Sequence, residues 1–147
     1  MTQKIAAALL ALGLATPALA QKASDAKTAS DYFVAYHKAM SSAKTIEDLR
    51  PFMDAAQQKE MDASPKAQQD LGVEMISGTY ADINEVKVVK ETAKGSVYTL
   101  DVTATHGADK VAGTGTVEVS KDAKGWHVDS EVWKFADSTL TLKKKTP

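Results

Sequence analysis

Tyr98-Thr-Leu-Asp-Val-Thr-Ala104 and Val111-Ala-Gly-Thr-Gly-Thr-Val-Glu-Val119 decide the fold class. In the first, Tyr98, Leu100, Val102 and Ala104 fall on one face and Thr99, Asp101 and Thr103 on the other. In the second, Val111, Gly113, Gly115, Val117 and Val119 alternate with Ala112, Thr114, Thr116 and Glu118. A period of two with one apolar set is the signature of a strand with one covered face. The pattern extends in both directions. Upstream, Asn84, Val86 and Val88 alternate with Glu85 and Lys87; downstream, Trp126, Val128, Ser130 and Val132 oppose His127, Asp129, Glu131 and Trp133. Ala93-Lys-Gly95, His106-Gly-Ala-Asp109 and Asp122-Ala-Lys-Gly125 supply the turns. The expectation is a four-stranded antiparallel meander. Gly113 and Gly115 share a face of the third strand, where glycine weakens pairing and marks a bend or bulge, so a strongly curved sheet is predicted.

Before Tyr80 the period is helical. Ala29, Phe33, Tyr36 and Met40, with Tyr32 and Ala39 beside them, make one apolar face of a helix over Ser24–Met40 that Ser41-Ser42 ends. Thr45-Ile-Glu-Asp48 resembles a capping box, and Pro51 is expected to begin a new turn. A further helix is predicted from Ser64-Pro65 through Leu71, Met75 and Ile76 to Gly78. Helices gathered before an antiparallel meander give an α+β fold, with the sheet wrapped around the first helix.

The amino terminus reads as a cleavable export signal: Lys4, the apolar run Ile5–Ala15, the breaker Thr16-Pro17 and the small-residue site Ala18-Leu-Ala20. The apolar run is shorter than the roughly 20 residues a membrane-spanning helix needs. Cleavage after Ala20 is expected, with a periplasmic or secreted product and no membrane association afterwards. Removing residues 1–20 lowers Lys+Arg from 18 to 17 against 19 Asp+Glu, a formal charge of −2, which argues against nucleic acid as a partner. With no cysteine, stability must come from packing alone. The expected organisation is a signal peptide over 1–20, one domain over 21–137 and a basic, frayed tail over 138–147.

The helix Ala29–Ala39, the segment Ile46–Met53, the strand Asn84–Lys90 and the closing Lys124–Ser130 together resemble the cystatin-like α+β cone of nuclear transport factor 2-like proteins, especially small exported bacterial members of unassigned function. The resemblance implies a cone whose helix ends and sheet enclose a pocket, and it implies little chemistry, since such a fold hosts isomerases, dehydratases, hydrolases, binders and assembly modules.

Tyr32, Tyr36, Tyr80, Tyr98, Trp126 and Trp133 are the rings available to line such a pocket. Aromatic residues at this spacing are core first, with their polar atoms reaching the rim. Of them, Tyr32, Tyr36, Tyr80, Tyr98 and Trp126 are the expected ligand contacts. His37, His106 and His127 show no metal-ligand spacing and read as structural or surface groups. Met40, Met53, Met61 and Met75 are at least eight residues apart and read as packing on apolar helix faces, not as a copper site. No metal, no cofactor and no catalytic residue is expected.

Alternation sends Asp101, Asp129 and Glu131 to solvent, Asp101 entering the pocket only if its strand is inverted. Trp126 and Val128 are expected against Phe33 and Tyr36, and Trp133 is expected partly exposed or covering a sheet edge or partner surface. Two functions follow. One is a binding or interaction module that holds a small apolar ligand or pairs as a homodimer through the threonines of the sheet. The other is an isomerase- or dehydratase-like enzyme built on a pocket carboxylate with tyrosine donors, which requires an inward acidic side chain with a raised pKa.

Overall fold

The structure, a computed structural model, describes residues 18–143; most of the expected signal-peptide segment and the last four residues of the expected tail lie outside them. The chain is α+β: α1 (Ala18–Ser24), α2 (Ala29–Ser42), α3 (Ile46–Leu49), a 3₁₀ turn (Arg50–Phe52), α4 (Ala55–Ala63) and α5 (Lys66–Ala81) precede β1 (Ile83–Lys94), β2 (Val97–His106), β3 (Val111–Asp122), β4 (Gly125–Phe135) and β5 (Thr139–Lys143). The sheet is an antiparallel meander in the order β1-β2-β3-β4-β5. The fifth strand corrects the four-strand expectation. Thr139–Lys143, read as tail, pairs with β4, with Leu140 opposite Trp133 and Leu142 opposite Glu131.

The helices begin where local chemistry lets them. The Thr28 hydroxyl accepts from the Asp31 N–H at 3.0 Å and caps α2. Glu91 of β1 accepts from the Ser30 N–H at 3.0 Å and from its hydroxyl, so the sheet satisfies another free donor of the first turn. Asp48 reaches back to the Thr45 N–H at 3.0 Å, as the capping pattern required. Pro51 opens a new turn rather than breaking a helix. Helix α5 runs past Gly78 to Ala81 and buries Val73 and Tyr80, whereas Leu71 and Met75 are exposed, Met75 against its expected place on an apolar helix face.

Two apolar clusters form. In the larger, Phe33 of α2 packs on Leu100, Val102, Val117, Val119, Trp126, Trp133 and Phe135 of the sheet. In the smaller, Met40, Leu49, Val73 and Tyr80 pack among the helices. Tyr36 and Phe52 touch both clusters. The functional candidates gather at that junction.

The register irregularities of the sheet are in the β1–β2 and β3–β4 pairings, and none falls at the glycines of β3. In β1 the register slips around Glu85-Val86 and again at Val89, and Glu85 takes a left-handed φ of 54°. In β4, Val128 faces Val119 and Ser130 faces Glu118, leaving Asp129 as an extra residue opposite no partner on β3. A bulge of one residue inverts the side-chain alternation beyond it. Trp126 and Val128 therefore point inward before the bulge, and Glu131, Trp133 and Phe135 point inward after it.

This overturns two expectations. Trp133, predicted on the polar face, is fully buried, and Glu131, predicted in solvent, is 1 % exposed. Gly113 and Gly115 lie within continuous pairing, opposite Phe135 and Trp133, and their missing side chains give those rings room against the strand. Asp101 is exposed on the outer face, as alternation required.

Candidate functional site: a pocket with a buried carboxyl

Between the helices and the inner face of β4 lies a pocket of about 650 Å³. That is within the range of sites that enclose small organic ligands. Helix α2 supplies Tyr32, Tyr36 and Met40 to its wall, the turn before α4 supplies Phe52 and Met53, α5 supplies Tyr80, and β4 supplies Trp126, Val128 and Glu131. Tyr32 stacks on Trp126 with ring centroids 6.1 Å apart, and Phe52 meets Tyr36 edge-on at 5.4 Å. The Trp126 indole N–H donates to the Ala26 carbonyl at 3.0 Å, which ties β4 to the segment before α2. Four of the five expected ligand contacts thus come together. The fifth, Tyr98, is not in the wall: it packs against Trp126 at 5.2 Å.

The residue that spacing missed is Glu131. Its Oε1 receives the Tyr80 hydroxyl at 2.6 Å and its Oε2 receives the Trp133 indole N–H at 2.9 Å. The Tyr80 hydroxyl lies 3.2 Å from that of Tyr36. Four side chains from three elements therefore form one continuous chain, Tyr36–Tyr80–Glu131–Trp133, ending at the pocket wall. Burial raises the Glu131 carboxyl above the ordinary carboxylate range, although the bonds from Tyr80 and Trp133 pull the other way. Burial likewise raises the phenols of Tyr36 and Tyr80, reinforced by the nearby carboxylate, so both stay protonated. Tyr32 is raised by burial and by Asp129.

His37 lies next to this chain. It is 8 % exposed, its ring sits 5.3 Å from that of Tyr80, and its Nε2 has no hydrogen-bond partner. Burial lowers its pKa to about 4, which keeps it neutral. His127 instead meets Asp122 at 3.0 Å and His106 stacks on Phe135 at 4.8 Å. Of the four methionines, Met40 is buried and Met75 is exposed, so Met75 is not packing on an inner face. Among the described residues no three histidine, cysteine or acidic side chains are grouped to hold a metal ion. No helix among them is long and apolar enough to cross a membrane.

No local signal marks Glu131, because Val128-Asp-Ser-Glu131 continues the alternation without interruption. The Gly113 and Gly115 pair, opposite two large rings, is the only hint that the later half of β4 faces inward. Comparison with protein-family models, curated proteins and solved structures finds no match to the chain.

Proposed function

We propose that this protein is an exported ligand-binding domain, of the cone type seen in nuclear transport factor 2-like proteins, that holds a small apolar molecule between its helices and sheet. Two observations support the cone reading: helices preceding an antiparallel meander, and register irregularities in the first and fourth strands, where bulges commonly bend a sheet. The observation that carries the function is the pocket of about 650 Å³ with aromatic walls and one buried polar chain reaching it. Apolar walls supply affinity by area, and a few placed polar groups fix orientation. The test is native mass spectrometry of protein purified from its exported fraction: a retained small molecule is expected, and its loss in Tyr36→Trp, which fills the cavity. Bare protein from native extract, with no uptake of any apolar probe, ends this reading.

An enzymatic role, isomerase- or dehydratase-like, is favoured by one feature, the inward Glu131 beside tyrosine hydroxyls. Each of its oxygens already holds a donor, so proton abstraction would require the Tyr80 or Trp133 bond to open. The binding reading needs no such rearrangement. A homodimer through the outward threonines Thr99, Thr103, Thr114 and Thr116 is a separate proposal; light scattering that gives the monomer mass at every concentration removes it.

A further inference from the structure

The chain Tyr36–Tyr80–Glu131–Trp133 has a property that follows from which of its members can accept. An indole N–H only donates. Glu131 Oε2 faces that donor at 2.9 Å, so a proton on the neutral carboxyl belongs on Oε1, 2.6 Å from the Tyr80 oxygen. Each phenol has one proton to place. With Glu131 ionised, Tyr80 donates to Oε1, Tyr36 donates to Tyr80, and the Tyr36 oxygen turns lone pairs to the pocket. With Glu131 neutral, the carboxyl donates to Tyr80, Tyr80 donates to Tyr36, and the Tyr36 proton turns outward. No heavy atom has to move.

We propose that Glu131 sets the hydrogen-bonding polarity of the pocket through Tyr80 and Tyr36, so that the ionised form selects ligands with a donor group and the neutral form selects ligands with a carbonyl or similar acceptor. The inference rests on reading the pocket as a ligand site. It gives the ligand class two parts: an apolar body against Tyr32, Phe52 and Trp126, and one polar group at Tyr36 whose sense depends on pH. The titratable and charged groups around the chain are His37 from α2, beside Tyr80, and Asp54, Lys124, His127, Asp129 and Lys143 in the pocket wall. Those wall charges also bias a donor probe against an acceptor probe, and the Glu131 and Tyr36 variants, which leave them in place, separate their effect from that of the chain.

The probes are indole, whose N–H only donates, and 1-indanone, whose carbonyl only accepts. Their dissociation constants are measured by NMR titration at two pH values bracketing the titration of the Glu131 Cδ resonance. The ratio is expected to change roughly tenfold in favour of indanone on the acid side, the order of one mismatched buried hydrogen bond. In Glu131→Gln the amide oxygen must face Trp133 and the NH₂ must face Tyr80, so indanone preference is expected at both pH values. Tyr36→Phe is expected to abolish the pH dependence of the ratio. Without probes, the Tyr36 Cζ resonance is expected to titrate with the same midpoint as Glu131 Cδ. A constant ratio in the wild type, a pH-dependent ratio retained in either variant, or a Tyr36 resonance that ignores Glu131 overturns the proposal. Coupled resonances with no binding of either probe would retain the coupling and overturn the ligand site.

Discussion

Gly115 lies directly opposite Trp133 across β3 and β4, and a Cβ placed on Gly115 would stand 2.7 Å from the indole and 2.9 Å from Val102. The glycine is the space the ring occupies. Alanine suits a strand better than glycine by propensity, yet here overpacking decides the sign. Gly115→Ala is expected to lose about 1–3 kcal/mol in urea unfolding. Gly113→Ala should lose at least as much, because its Cβ would also stand 2.6 Å from the Lys134 carbonyl, which is backbone and cannot rotate away. A stability gain in either variant would mean that the rings do not lie on the glycines.

Trp133→Ala is expected to cost about 3–5 kcal/mol for lost packing and to leave Glu131 Oε2 without its donor, a further 1–3 kcal/mol. Trp126 is 9 % exposed and donates only to a backbone carbonyl, so Trp126→Ala should cost less than Trp133→Ala. Chemical denaturation of both variants orders them; a larger loss at Trp126 would contradict the inward turn of β4 after Asp129.

Two buried groups, His37 and Glu131, give opposite pH dependences. His37 titrates at about 4 when folded, below its unfolded value, so the unfolded chain binds the extra proton. Its contribution is present above about pH 6.5 and is lost as the pH falls towards 4, on the order of 3 kcal/mol in full. Glu131 titrates above its unfolded value, so its contribution is complete below the ordinary carboxylate pKa and is lost as the pH rises through the folded one. His37→Phe should therefore gain on the wild type as the pH is lowered from 7 towards 4, and Glu131→Gln should gain on it as the pH is raised. Urea midpoints across that range measure both differences; parallel curves for wild type and variants would refute the assignments.

If the chain is exported as proposed, its intact mass in the exported fraction should correspond to a chain beginning at Gln21, and a mass that retains residues 1–20 would remove the signal reading. Ala20 is 4 % exposed and lies inside α1. A peptidase needs extended backbone, so the proposed cleavage after Ala20 requires that this helix form only afterwards. A chain expressed from Gln21 onwards should fold with Ala23 still buried, and its urea midpoint should match that of the exported protein.

The parts of the fold legible in the sequence are those fixed by near neighbours. Thr45 and Asp48 cap within one turn, Pro51 starts one, and β2 and β3 alternate without interruption, so their burial follows directly from their residues. Tyr36 and Trp126 are legible as pocket lining because they fall on the apolar face of their elements, whereas Tyr80 enters the wall because α5 runs on past Gly78. The later half of β4 is not legible. Nothing beside Asp129 announces a bulge, and the cause is distant: Gly113 and Gly115, with Val102, make the slot that Trp133 and Phe135 fill. The fifth strand is not legible for a related reason, since Thr139–Lys143 is short and gains its place by pairing with β4 beyond the bulge. On α5 the exposed Leu71 and Met75 reflect a buried face rotated towards Val73 and Tyr80.

Asp129 acts in β4 by occupying a place, and its side chain has little part in that. Substitution there should leave the strand's phase intact, and deletion of this one residue would remove the bulge and let Ser130 follow Val128 in regular alternation, keeping Glu131, Trp133 and Phe135 inward. Among sequences descended from this one, the spacing between Trp126 and Trp133 is thus the character to follow: an odd separation requires the bulge for both rings to face inward and an even one does not, while the side chain at position 129 answers to the pocket wall it lines and to Tyr32.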